Sequence, residues 1–191
     1  MAGRQAKVLS DGQLMAALKA ARTTRYPARD RAMLLLSAKA GLRAAEIAGL
    51  TWPMLTTADG KLSDYIALAD TIAKKGSGRT IPLHPRLKAA LTQLGKTAGT
   101  QGHVIKSERG ERLTAGSVVN WFKALYARLG LEGCTSHSGR RTFITMAARR
   151  ISRAGGSIRD VQMLAGHRNL RHTQGYIEPC SKAQRRLMNF L

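Results

Sequence analysis

The segment His137-Ser138-Gly139-Arg140-Arg141-Thr142-Phe143 lies in the last third of this chain of 191 residues. It precedes Leu164-Ala165-Gly166-His167, and Tyr176 comes nine residues after that histidine. Arg43 and the pair Lys74-Lys75 lie upstream. Ser136 or Ser138 can cap a helix through Arg150, and that helix would carry the first segment. A fold that joins these segments would place a tyrosine among cationic and imidazole neighbours.

The chain is strongly basic, with 32 lysine and arginine residues against 11 acidic ones and a formal charge of +21. The basic residues recur inside segments with apolar periodicity, so they are not confined to a tail. Such an excess predicts a polyanionic partner, most simply a nucleic acid. A ribosomal-type or merely highly charged protein is the alternative. The hydrophobic content of 43% is sufficient for one domain with a core.

Targeting and cysteine patterns indicate a soluble cytoplasmic protein, which the charge would associate with the nucleoid. Cys134 and Cys180 form no C-x-x-C pair, so free thiols in a reducing compartment are expected. No apolar block follows the basic residues near the N-terminus, and nowhere do eighteen apolar residues run together.

The first half of the chain predicts three helices. Ser10 and Gln13 have capping-box spacing, which marks the start of the first helix. Pro27 suits the first position of a second helix, and Gly41 is expected to end it. A short third helix begins at Arg43.

A small antiparallel sheet is predicted next. The segments Tyr65 to Ile72 and Arg79 to Leu83 are typical of strands, and the glycines around Lys75-Gly76-Ser77-Gly78 indicate a flexible hairpin loop. The rest is predicted to be helical, so the fold class is α+β, mainly α-helical. The later helices are expected from Pro85, from Thr114 to a stop at Gly130, from Ser136 or Ser138 through Arg150, from Ser157 through Ala165, from Asn169 to Tyr176, and from Ser181 toward an apolar tail.

Taken singly, each candidate site residue has an ordinary structural explanation. His137 and Arg140 could be two exposed groups on one helical turn. His167 could end a helix, Tyr176 could be a core aromatic, and Lys74 could be a solvated charge. The order and flanking sequence of the whole set favour a shared site.

As a set, these segments resemble the tyrosine recombinase (phage integrase) family, over nearly the whole chain from Ser10 onward. The matching segments are Gly41-Leu42-Arg43-Ala44-Ala45-Glu46-Ile47, the hairpin from Lys74 to Leu83, His137-Ser138-Gly139-Arg140-Arg141-Thr142-Phe143, and Leu164-Ala165-Gly166-His167 with Tyr176.

The resemblance implies site-specific DNA recombination by transesterification through a 3′-phosphotyrosyl intermediate. Tyr176 would be the nucleophile and His137 its base. Arg43 and Arg140 would clamp the phosphate, whose charge increases in the transition state, and His167 would donate a hydrogen bond to it.

The resemblance also implies a general acid and a supporting carboxylate. Ungapped alignment on Arg79-Thr80-Ile81-Pro82-Leu83 selects Lys74 to protonate the leaving 5′-oxygen, and Lys75 is the alternative if the turn is one residue shorter. Glu46 would orient Arg43 or His137. No nucleotide cofactor is expected, because the phosphotyrosyl bond would preserve the energy of the phosphodiester. No metal is expected either, because the sequence has neither a carboxylate cluster nor a Cys/His ligand set.

The expected partners are double-stranded DNA and further copies of the chain, as a tetramer on DNA. The apolar tail Leu187 to Leu191 would either contact a neighbouring copy or fold back on its own core. An accessory DNA-bending or directionality factor is a further candidate. Family members usually carry a helical core-binding domain before the catalytic one. Because only nine residues precede the first predicted helix, residues 1–191 are expected to form a single catalytic domain without it, either as a catalytic domain alone or as a fragment of a longer protein.

Two departures and three alternatives accompany this interpretation. Arg141 stands where a second histidine is common, and Ile177-Glu178 follows the tyrosine where Thr-His is frequent. The alternatives are a DNA-binding regulator that keeps the fold, a type IB topoisomerase-like enzyme and a structural basic protein. The complete set of site residues weighs against a regulator, and the family-like segments weigh against the other two.

Overall fold

The structure is a computed structural model that describes residues 5–73, 76–110, 112–177, 185, 188 and 189. It is mainly helical with one two-stranded antiparallel sheet, which confirms the predicted α+β class. The elements are α1 (Asp11–Ala20), α2 (Pro27–Ala40), α3 (Ala44–Gly49), β1 (Tyr65–Leu68), β2 (Arg79–Pro82), α4 (Pro85–Ala98), α5 (Ala115–Arg128), α6 (Ser138–Arg150), α7 (Ile158–Ala165) and α8 (Leu170–Gln174).

Helix α2 is the central element of the core. Its segment 33–36 is apolar and almost fully buried on every side. Pro27 occupies its first turn, and Gly41 ends it in the left-handed region with a φ of 66°, as the sequence predicts. The helix packs against α4 on one side and α6 on another. Any change along α2 is therefore felt by two neighbouring helices.

The contact between α2 and α6 depends on a glycine. A Cβ atom at Gly139 would lie 2.3 Å from Oγ and 2.9 Å from Cβ of Ser37. The Ser37 hydroxyl is buried, and no described hydrogen-bond partner accompanies it. The two helices thus approach more closely than any larger side chain at position 139 would permit.

The sheet pairs Tyr65 with Pro82 and Leu68 with Arg79. The prediction that the first strand continues to Ile72 is wrong, because the chain turns after Leu68. The Asp70 carboxylate accepts the N–H of Gly78 at 2.7 Å and closes this turn. Lys74 and Lys75 belong to the same connection but lie outside the described residues.

Helices α6 and α7 form a second, smaller apolar cluster around Ile144, Val161 and Ala165, and Tyr176 packs against it. The residue that precedes α6 is His137, so the predicted serine cap at 136 or 138 is wrong. The Ser138 hydroxyl instead accepts the N–H of Thr135, which fixes the turn that enters the helix. This cluster holds the two site segments that follow α5, which are residues 137–143 and residues 164–167 with Tyr176.

The end of α8 differs from the prediction, and most of the predicted C-terminal tail lies outside the described residues. Helix α8 ends at Gln174, two residues before Tyr176, which occupies the following turn. The predicted docking tail is outside the described residues except for Met188, which is 62% exposed, and Asn189. Among the described residues, every helix is too short or too polar to cross a lipid bilayer.

Replacing Gly139 with alanine should destabilise the protein. The added methyl group overlaps Ser37, and such overpacking costs about 1–3 kcal/mol in the free energy of unfolding. Urea unfolding would measure the loss. Gly116→Ala in the exposed first turn of α5 is the matched control, where the nearest atom to the new Cβ is 3.8 Å away and alanine should be neutral or stabilising. Equal stability of the two variants would contradict the packing argument.

Candidate active site

A cleft of about 620 Å³ opens at the entrance of α6, the turn after α7 and helix α8. Most of its polar wall is cationic or imidazole, and none of the described lining residues is acidic. A concave surface of one charge concentrates ions of the opposite charge, so the cleft is suited to phosphate groups. The cationic and imidazole lining residues are Arg43, Arg140, Arg141, Arg168, Arg171, His137, His167 and His172.

Arg140 is the most deeply placed of these cations, with 5% of its surface exposed. Its Nη1 donates to the carbonyl oxygen of Gly41 at 2.6 Å, and its Nη2 donates to that of Ala165 at 2.7 Å. The guanidinium is therefore held by the ends of α2 and α7. Burial, reinforced by the charges of Arg43 and Arg79, lowers the pKa of Arg140 to about 10, so it remains charged at neutral pH.

The third contact of Arg140 is with His167, whose Nε2 lies 3.0 Å from Nη2. Because a guanidinium can only donate, this imidazole nitrogen accepts. The proton of the neutral ring then lies on Nδ1, which is 3.0 Å from Oγ1 of Thr173. Three of the five N–H donors of Arg140 are used in its contacts, which leaves two for a phosphate.

The charge state of His167 follows from its surroundings. Burial, followed by the charges of Arg140 and Arg43, lowers its pKa to about 4. The ring is neutral at physiological pH, with Nε2 as an acceptor. The expected donation from His167 to a phosphate therefore requires that the ring be released from Arg140 and gain a proton at Nε2.

Two neighbours fix the position of Tyr176: Thr173 in α8 and His167 just after α7. Its backbone N–H donates to the carbonyl oxygen of Thr173, a fully buried residue. Its ring stacks on the imidazole of His167, with 5.8 Å between the ring centres and 22° between the planes. Thr173 thus contacts both aromatic residues and couples the position of the tyrosine to that of the histidine.

Arg141 approaches Tyr176 from the other side. Its guanidinium carbon lies 5.7 Å from the centre of the tyrosine ring, within the range of a cation–π interaction. Its Nη1 also contacts the side-chain oxygen of Gln5. The residue that departs from the family pattern is therefore part of the cleft wall and adds a positive charge beside the tyrosine.

The Glu46 side chain holds Arg43 in place through two hydrogen bonds. The Glu46 carboxylate accepts the backbone N–H of Arg43 at 2.9 Å and its Nη1 at 2.6 Å. The expectation that Glu46 supports Arg43 agrees with this contact. The carboxylate itself is almost completely buried, so it acts through the arginine rather than on a ligand in the cleft.

A second arginine, Arg79, also contacts Glu46, which the sequence did not reveal. Its Nη2 and Nη1 lie 3.0 and 3.2 Å from the two carboxylate oxygens. Burial alone would raise the pKa of Glu46, but the hydrogen bonds and charges of Arg79 and Arg43 outweigh it and lower that pKa. A buried carboxylate must be paired with cations, and this requirement of Glu46 is the one signal that could have pointed to Arg79.

The structure places five of the six predicted catalytic residues around one cleft. His137 is exposed at the start of α6, one turn before Arg140. Lys74 and its alternative Lys75 lie outside the described residues. Ser77, which follows them in the sequence, lines the cleft. The arrangement can bind a phosphodiester and present a tyrosine hydroxyl with an imidazole in the same cleft.

Residues 7–182 match the phage integrase family. The tyrosine recombinase XerC of Xanthomonas campestris pv. campestris is 31% identical over 151 residues, which cover 78% of this chain and 44% of that protein. XerC of Brucella suis biovar 1 is 34% identical over 157 residues, with 78% and 46% covered. The chain thus spans less than half the length of these curated relatives.

Among solved structures, the Tn1549 transposon integrase in complex with a circular intermediate DNA has a similar fold. The TM-score is 0.79 at 20% identity, over 100% of this chain and 67% of that one. At this identity the likeness concerns the fold alone.

The environment of His167 should make stability depend on pH. The pKa of His167 in the folded protein is about 4, below the ordinary value of 6.5, so the folded state favours the neutral ring. The stability that this preference contributes is complete above pH 6.5 and is lost as the pH falls toward 4. For a half-buried ring the loss should be on the order of 1–2 kcal/mol. Urea unfolding of the wild type and of His167→Gln across this range would measure it, because the variant lacks this slope. Parallel curves for the two proteins would contradict the assignment.

Proposed function

The chain belongs to the phage integrase family, and from this membership we propose that it forms the catalytic part of a site-specific DNA recombinase. The reaction would be a metal-free transesterification of one DNA strand, used in integration, excision or inversion. One observation carries the proposal: the described structure places five candidate residues in the lining of the same cleft, namely Tyr176, His137, His167, Arg43 and Arg140. We propose double-stranded DNA as its substrate.

The phosphate would be bound by Arg43 and Arg140. Arg140 is preorganised by two backbone carbonyls, and Arg43 by the Glu46 carboxylate, so neither side chain has to be ordered when DNA arrives. In-line attack increases the charge on the non-bridging oxygens. Fixed donors aimed at those oxygens stabilise the transition state more than the ground state.

The nucleophile would be the hydroxyl oxygen of Tyr176, which forms a bond to phosphorus while its proton passes to His137. The bond from phosphorus to the 5′-oxygen breaks, and Lys74 protonates that oxygen as it leaves; Lys75 is the alternative donor. The products are a 3′-phosphotyrosyl bond and a free 5′-hydroxyl. Since the phosphodiester energy is conserved in the covalent bond, a second 5′-hydroxyl can reverse the step on another strand.

Assembly on DNA belongs to the same proposal. Strand exchange needs two cleaved duplexes, so we propose a homo-oligomer, a tetramer when complete, with the tail Leu187 to Leu191 as a contact between copies. An accessory DNA-bending or directionality factor would set the outcome. The positive cleft supports a role for DNA in bringing the copies together, because unbound copies repel one another.

Tyr176→Phe should abolish covalent capture of DNA. Purified protein is incubated with a pool of duplexes that carry a randomised core and a nick beside it, so that the short cleaved fragment diffuses away. Adducts that survive denaturation are recovered and sequenced. We expect adducts with the wild type and none with Tyr176→Phe, because the variant keeps the ring stacked on His167 but lacks the attacking oxygen.

The matched control is Tyr65→Phe, which removes a hydroxyl from an exposed strand residue and should leave the yield unchanged. The absence of adducts with the wild type across the pool would contradict the proposed function. Adducts that persist in Tyr176→Phe would contradict the choice of nucleophile.

Binding of a short duplex should weaken steeply with salt. If the five arginines of the cleft each neutralise one phosphate, the affinity falls by about 10² to 10³ between roughly 50 and 200 mM salt. Fluorescence anisotropy would measure this. Arg171→Gln should reduce the slope of log affinity against log salt by about one, whereas Arg128→Gln, on α5 and outside the cleft lining, should not. An affinity that does not respond to salt would contradict phosphate-dominated binding.

A further inference from the structure

Arg79 occupies a junction between three elements, each of which leads to a different candidate catalytic residue. The residue begins β2, and its guanidinium bridges the Glu46 carboxylate that supports Arg43. Its Nε donates to the carbonyl oxygen of Leu164, at the end of α7, at 2.8 Å. One side chain thus touches the helix of the arginine clamp and the helix that precedes His167, while its own strand extends from the lysine hairpin.

The junction is closed to solvent and tightly packed. The side chain of Arg79 is 6% exposed, and that of Glu46 is 1% exposed. A Cβ atom at Gly166 would lie 2.8 Å from Nη1 of Arg79, so the turn that carries His167 rests directly on the guanidinium. Buried ion pairs of this kind are weak contributors to stability but strong constraints on geometry, since every donor and acceptor must keep its partner.

The contact to Ser77 extends the junction into the hairpin loop. Nη1 of Arg79 lies 3.3 Å from the carbonyl oxygen of Ser77, a residue of the cleft wall. Ser77 is three residues after Lys74 in the sequence, and Arg79 is five residues after it. The guanidinium therefore fixes the end of the loop in which both candidate general acids lie.

We propose that Arg79 is a positioning residue for the general acid: it anchors the β2 end of the lysine hairpin to Glu46 and to the end of α7, so that the lysine reaches the leaving oxygen. The inference rests on the proposed function. Arg79 itself touches neither DNA nor the reacting atoms. Its loss would leave Arg43 held by Glu46 through two hydrogen bonds, so the phosphate clamp would persist while the hairpin loses its anchor.

This role predicts a selective defect in one half of the chemical step. Tyr176 attacks phosphorus and the P–O5′ bond breaks; the 5′-alkoxide is a strong base and takes a proton from the lysine ammonium. A substrate in which sulfur replaces that bridging oxygen expels a thiolate, which is far less basic and leaves without a proton. A misplaced general acid therefore slows the oxygen substrate and spares the sulfur substrate, whereas general loosening of the site slows both.

The test compares single-turnover cleavage of two duplexes that carry a site recovered by covalent capture, one with oxygen and one with sulfur at the bridging position. Arg79→Gln should slow cleavage of the oxygen substrate by about 100-fold, the size of a general-acid contribution, and that of the sulfur substrate by less than about tenfold. Arg79→Lys keeps a cation beside the buried Glu46 but cannot bridge its partners, and it should show the same selectivity. It provides the comparison if the glutamine variant does not fold.

Two controls separate positioning from stability. Lys74→Ala gives the pattern expected from loss of the general acid, with Lys75→Ala as its counterpart. Arg29→Gln removes an arginine from another buried carboxylate, Asp30, near the opposite end of α2 from Gly41. It should lower the thermal midpoint of unfolding without changing the ratio of the two cleavage rates.

Selective slowing of the oxygen substrate in both Arg79 variants supports the role. Equal slowing of both substrates, or no slowing, overturns it while leaving the proposed function intact. Wild-type protein that forms no adduct with either duplex overturns the proposed function instead.

Discussion

The Glu46 carboxylate is fully buried, and a buried charge is tolerated only when it is paired and hydrogen-bonded. It contacts Arg43 from the adjacent turn of chain and Arg79 from the sheet, so α3 and β2 must meet at this point. Arg79 in turn fixes the end of α7, from which the chain enters His167. The placement of three candidate catalytic segments thus follows from the need to neutralise one acidic side chain inside a basic protein. Removal of the acid would leave the buried guanidinium of Arg79 and the half-buried one of Arg43 close together without a compensating charge.

Crowded positive charge is the second organising feature. Arg140 is anchored by the ends of two helices, and its pKa is lowered by burial and by neighbouring arginines, which means that the cleft holds cations that repel one another. His167 avoids adding to that repulsion by remaining neutral and accepting a hydrogen bond from Arg140. A phosphate bound as proposed would relieve the repulsion. The proposed donation from His167 to that phosphate would require the ring to leave Arg140, so phosphate binding and reorganisation of the histidine would be linked.

Local signals explain what could be predicted from the sequence. The Ser10 capping box and the limits of α2 at Pro27 and Gly41 depend on hydrogen bonds and backbone angles within a few residues, and they appear as expected. The family-like segments likewise contain the five predicted catalytic residues that line the cleft, whereas lining residues such as Arg171 and His172 had no sequence signal. The early end of β1 could not be foreseen, because it depends on a bond between Asp70 and Gly78 across the loop. The partner of Arg79 is 33 residues away, and the tautomer of His167 depends on Arg140 and Thr173, so both require the folded chain.

Gly41 has two roles at once: its N–H donates to the carbonyl oxygen of Leu36 and ends the core helix α2, and its own carbonyl oxygen accepts from Arg140. Thermal motion or mutation along that helix is therefore transmitted to the Arg140 guanidinium in the cleft. Engineering of this scaffold has to respect the connection. Substitutions meant to raise heat resistance belong on the exposed faces of α4 and α5, whereas tighter packing around α2 would retune the affinity of the cleft as a side effect. In evolution, the same geometry would couple substitutions among the hydrophobic residues of α2 to the properties of the cleft, although these residues are buried in the core.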